Sequence, residues 1–175
     1  MKRPEWAETS PSMRDYYDHY WGLPDYDETH LFKMLTLELF QAGLSWSTIW
    51  QRQEAFSRAF ANFDVAEVAR FSQRDIDRLL NDPHIIRNRR KITATINNAQ
   101  VIDRWHQEGK RFADYVWSFV DGQPQRLHLH GQPLPAQTPA SVAMAKQMKK
   151  DGFHFVGPTI IYSFMTAVGL VNARE

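Results

Sequence analysis

The sequence predicts an all-α, single-domain protein of about eight helices. Three observations carry this. No stretch of useful length alternates polar and apolar residues with the period of two that a half-buried strand requires. Apolar residues recur instead at helical spacing, as in Ile92, Ile96, Ala99 and Ile102. These blocks are preceded by side chains that cap helices and followed by Gly, Asn or Pro. The 175 residues suffice for one substantial core. A hydrophobic content of 43% and an aromatic content of 13% belong to a folded globule.

In chain order, residues 1–26 read as an irregular N-terminal arm rich in rings: Trp6, Tyr16, Tyr17, Tyr20, Trp21 and Tyr26. Asp27 or Thr29 can then cap a strongly apolar helix from Leu31 to Phe40. On it Leu31, Met34, Leu35, Glu38 and Ala42 share one face, so Glu38 points where the apolar stripe points. A carboxylate is rarely buried without a partner, because uncompensated burial costs several kcal/mol. A structural carboxylate, capping a neighbouring helix or pairing with an Arg, is the plainer reading. The following turn favours a site: Gln41, then Gly43 as a C′ glycine, then Trp46. A buried acid, an amide and an indole within nine residues suggest a pocket for a flat ligand with a polar edge.

Ser45 or Ser47 can cap the next helix, running to about Phe60. Asp64-Val65-Ala66-Glu67 and Ser72-Gln73-Arg74-Asp75 start two short ones, the second ending near Asn81-Asp82-Pro83. A basic cluster, Arg87-Asn88-Arg89-Arg90-Lys91, opens a long helix from about Arg89 to Glu108. Cations oppose the dipole at a helix start, which a polyanion seated there would explain. A short helix spans Arg111 to Val120, and residues 121–139 form a Pro-rich loop. His128-Leu129-His130 within it lacks the convergent ligands that a metal needs. Pro139 starts a further helix. The last, from Gly157-Pro158 through Val171, is apolar nearly all round and hence central; Tyr162 and Ser163 are its chemical groups.

There is no cysteine, which excludes disulfides and thiolate chemistry. The net charge of +1 means that any basic surface is local. No window reaches the ~18 apolar residues of a membrane span, and the N-terminus lacks the apolar core of a signal peptide. A cytoplasmic location is expected.

Several blocks together resemble a known family: Tyr16 with Trp21-Gly22-Leu23-Pro24, Gln41-Ala42-Gly43-Leu44-Ser45-Trp46, Ile85-Ile86-Arg87-Asn88-Arg89, Val116-Trp117-Ser118-Phe119, and Gly152-Phe153 through Gly169-Leu170-Val171-Asn172. In this order and spacing the chain is similar to the DNA-3-methyladenine glycosylase I family of the helix-hairpin-helix superfamily. The resemblance implies that fold, and excision of 3-methyladenine from double-stranded DNA containing alkylated bases, by a monomer that flips the base out. By the same resemblance Glu38 and Tyr16 are the catalytic candidates. Trp46, Trp6, Gln41 and Ser163 would bind the base. Gly43 and Leu44 would lie at the gap left by the flipped nucleotide, and Arg87, Asn88, Arg89 and Lys91 would hold phosphates.

Three departures from the family pattern lead to further expectations. The family's zinc, held by two Cys and two His, would find Pro4, Tyr17 and Glu175 at its ligand positions, so no metal or other cofactor is expected and the N-terminal arm is untethered. His84 stands where the family has Gly, which would strain a turn needing φ > 0. Leu39-Phe40 is bulkier than usual and would narrow the pocket. Three other readings stay open: a catalytically silent DNA-binding homologue, a glycosylase for a different alkyl-purine lesion, and a helical protein-interaction module.

Overall fold

A computed structural model describes residues 2–130 and 132–174. Its central element is a helix buried on every side, and the other elements are layered around it. We number the α-helices in chain order: α1 (Pro11–His19), α2 (Glu28–Gln41), α3 (Trp46–Gln51), α4 (Gln53–Ala59), α5 (Val65–Ala69), α6 (Gln73–Leu80), α7 (Arg89–Gln107), α8 (Phe112–Ser118), α9 (Pro139–Lys150) and α10 (Pro158–Ala167). Among the described residues these ten replace the expected eight. A two-residue parallel bridge, β1 (Gln125–Arg126) with β2 (Val171–Asn172), is the strand structure that alternation could not reveal at this length.

The buried helix is α2. Asp27 caps it, its carboxylate accepting from His30 N at 2.7 Å. Every residue from Leu31 to Phe40 except Lys33 is buried. The helix packs against α3, α7, α8 and α10. Its own Glu28 carboxylate accepts from the Phe112 and Ala113 amides at 2.5 and 2.7 Å, fixing the start of α8. At its other end the chain turns at Gly43 with φ +82°.

The N-terminal arm is not irregular. A 3-10 turn at Glu5–Glu8 precedes α1, whose start is capped by Ser10 accepting from Met13 N at 3.2 Å, with Pro11 in the first turn. Ser-Pro is a helix start signal, masked in the sequence by the surrounding rings. Nor is the arm untethered. Arg174, beyond β2, donates to Tyr17 O at 2.6 Å and to Trp21 O, and its guanidinium lies 4.4 Å from the Tyr17 ring centroid.

The helix expected from Ser45 to Phe60 breaks at Arg52 into α3 and α4. α10 ends at Ala167, four residues before the expected Val171. Gly169 explains the stop: its φ is +81°, and a Cβ there would stand 2.6 Å from the backbone of Leu23 and Pro24. Between α6 and α7 the turn begins with Asp82 accepting from His84 N at 2.9 Å. Among the described residues His84 does not have positive φ, so the expected strain is absent.

Candidate functional site

A cavity of about 390 Å³ opens between the 3-10 turn, α1, the C-terminal end of α2, the start of α3 and α10. Trp6, Tyr16, Glu38, Gln41, Trp46 and Ser163 all line it. The sequence placed them as one set, and the fold collects them from five elements. Met13 and Thr166 also line it, as does Leu134 from the Pro-rich loop. Leu134 carried no signal, since a loop's contact with a helix far along the chain has no local pattern.

Glu38 sets the electrostatics. It is 4% exposed, and burial, with no donor or cation offsetting it, pushes its carboxyl up to about 8. Near neutral pH it therefore holds its proton unless a positive charge enters. Tyr16, 2% exposed, is held well above the usual phenol range, first by burial and then by the nearby Glu38 charge. The walls are aromatic: Tyr16 lies 5.3 Å from Trp46, 4.4 Å from Trp50 and 6.1 Å from Trp6, ring centre to ring centre. The Trp46 indole N–H is buried without a hydrogen-bond partner. Gln41 donates to Leu44 O at 2.8 Å, so it holds the rim turn while lining the cavity. Leu39 and Phe40 do not narrow the space. Both are fully buried away from it, Phe40 against Phe56 at 4.8 Å and Phe60 at 6.0 Å.

The nucleic-acid candidates divide. Gly43 and Leu44 sit exposed at the rim, with Leu44 at 38% exposure. Arg87 and Arg89 are exposed where α7 begins, and Asn88 caps that helix, accepting from Lys91 N at 3.1 Å. Lys91 departs from its expected role. Its ammonium donates to Phe40 O at 2.9 Å and Ala42 O at 2.8 Å, so it closes the end of α2 and is not available to phosphate.

The residues at the expected metal positions do not fit a zinc. Tyr17 stacks on Trp21 at 5.6 Å and lies under Arg174, the Pro4 carbonyl accepts from Ala7 N, and Glu175 lies outside the described residues. Among the described residues no three His, Asp or Glu converge as a metal site. No helix among them is long and apolar enough to cross a membrane.

An acid held neutral by burial, in one cavity with indole and phenol rings, offers a planar heterocycle ring faces to stack on and a carboxyl group for its edge, and a cation would gain most from both. The family model described as methyladenine glycosylase matches residues 6–175, and the chain belongs to that family. It is 45% identical over 173 residues to DNA-3-methyladenine glycosylase 1 of Escherichia coli K12, covering 98% of this chain and 92% of that protein. A crystal structure of 3-methyladenine DNA glycosylase I superposes with TM-score 0.94 at 47% identity, covering 98% of this chain and 95% of the other. A Tyr-to-Phe variant of a 3-methyladenine DNA glycosylase I, solved in complex with 3-methyladenine, superposes with TM-score 0.91 at 38% identity, covering 97% and 93%.

Proposed function

We propose that this protein is a monofunctional DNA glycosylase that hydrolyses the N-glycosidic bond of 3-methyladenine in duplex DNA. The observation that carries the reading is Glu38, a partnerless buried acid sharing one aromatic cavity with Tyr16 and Trp46. Chemistry on a base inside a duplex requires that the base leave the stack, at a cost of a few kcal/mol. Stacking on Trp46, worth about 1–3 kcal/mol, offsets part of that cost.

Selection follows from charge. A purine methylated at N3 enters as a cation, which draws Glu38 into its carboxylate form and is attracted to the indole face. Neutral adenine has no such charge and leaves the acid protonated. As the glycosidic bond breaks, its electron pair goes to the base, which departs neutral. Water supplies the new oxygen at C1′ and releases a proton. The cationic leaving group already weakens the bond, so the cavity contributes recognition, orientation and electrostatics. Tyr16, Gln41, Trp6 and Ser163 complete the grip on the base. Gly43 and Leu44 stand at the gap in the duplex, and Arg87, Asn88 and Arg89 contact its backbone. The protein works as a monomer without a metal.

Chromatography of bases released from dimethyl-sulfate-treated DNA tests this. A 3-methyladenine peak that Glu38→Gln diminishes is expected. Equal peaks from both proteins overturn the role of Glu38, and duplex binding with no base released selects the silent homologue.

A further inference from the structure

A second groove, of about 590 Å³, lies between the start of α7, the end of α9 and the turn that leads into α10. Arg89, Arg90, Lys149, His154 and Phe155 line it, and no acid does. None of the ion pairs among the described residues engages Arg89, Arg90 or Lys149. The nearby Asp151 is already occupied, accepting from the Tyr115 hydroxyl at 2.7 Å.

The turn that forms one wall is held in place from α7. Asn98, 1% exposed, donates to His154 O at 3.1 Å and accepts from His154 N at 2.9 Å. Asn97 donates to Gly152 O at 2.7 Å. Phe155 sits at φ +58°, a left-handed conformation costing an aromatic residue of order 1 kcal/mol or more. That strained residue places its ring 5.6 Å from the Arg90 guanidinium carbon. A guanidinium held over a ring can still donate its N–H groups to oxygen acceptors, and Arg90 is exposed.

We propose that this groove seats DNA backbone phosphates beyond the flipped nucleotide, with Arg90 and Lys149 as contacts that extend the interface at Arg87 and Arg89. The inference rests on the DNA-binding reading above. Continuity favours DNA as the occupant: Arg89 belongs to both regions, and Lys91 ties the same turn of α7 to the segment preceding Gly43 and Leu44.

The test is fluorescence anisotropy of a short undamaged duplex, titrated with protein at several salt concentrations. Each phosphate contact adds about 0.9 to the magnitude of the slope of log affinity against log salt. Arg90→Ala and Lys149→Ala should each lower it by about that much, and raise KM with kcat unchanged. Arg104→Ala is the control, an exposed cation on the same helix about 21 Å further along at 1.5 Å per residue, and should not lower it. Slopes equal to wild type for both groove variants overturn the proposal. Groove variants that lose slope in a protein that releases no 3-methyladenine uphold it while overturning the glycosylase reading.

Discussion

Lys91 of α7 lays its ammonium across the end of α2, 2.9 Å from Phe40 O and 2.8 Å from Ala42 O. The last carbonyls of a helix lack partners within it and carry the negative end of its dipole, so a buried cation there satisfies both. Burial also lowers the pKa of Lys91. Lys91→Met should cost about 2–3 kcal/mol, the scale of a charge-assisted hydrogen bond with its buried acceptor left unmet. Urea denaturation measures this. The salt slope of duplex binding should not change, because this lysine faces inward.

Glu38 predicts a dependence on pH whose sign is fixed. Its folded value of about 8 lies above the ordinary 4.5, so the folded state keeps a proton that the unfolded chain releases. The resulting stability is fully present below 4.5 and is lost as pH rises towards 8, by up to ~1.4 kcal/mol per pH unit. Glu38→Gln cannot titrate and should remove this component, making the variant more stable than wild type at pH 8. For 3-methyladenine release the direction is opposite. kcat/KM reports the free enzyme, so it should climb about tenfold per pH unit and level off near 8 as the carboxylate forms. Denaturation and initial-rate profiles of both proteins check the pair of signs.

These two residues also show what was legible in the sequence. Glu38 stood out because an acid interrupting an apolar stripe of correct helical phase has to be accounted for. Lys91 reads as part of a basic patch because five polar residues in a row hide which of them turns inward. Helical phase contained the correction: Lys91, Thr95 and Asn98 follow at i, i+4 and i+7, and all three are buried. The six pocket residues were legible through local spacing and family likeness together. The clasp made by Arg174 was not, since its partners Tyr17 and Trp21 lie more than 150 residues away and their carbonyls leave no trace in residue type.

That clasp leads to a prediction about metal. Arg174 joins the segment after β2 to α1 through the Tyr17 carbonyl and ring, and to the turn that follows α1 through the Trp21 carbonyl. Trp6 packs on the same rings, 5.7 Å from Tyr17 and 5.5 Å from Trp21, and Trp6 and Tyr16 line the cavity. Chelators should therefore leave both melting temperature and base release unchanged. Arg174→Ala should lower the melting temperature and speed amide exchange in α1. A chelator-induced loss of activity, restored by zinc, would contradict the fit of these residues.

Trp46 separates stacking from hydrogen bonding. Its ring faces Tyr16, and its indole N–H is buried without a partner. Trp46→Ala removes the stacking surface and should weaken binding of free 3-methyladenine by about 5- to 150-fold, the equivalent of 1–3 kcal/mol. Trp46→Phe keeps an aromatic face and deletes the unmet donor, so its stability should match or exceed wild type and most of the affinity should survive. Calorimetric titration of the base into each variant reads the two effects. A Phe variant as weak as the Ala variant would mean that the N–H contacts the ligand, and that Trp46 grips the base by its edge.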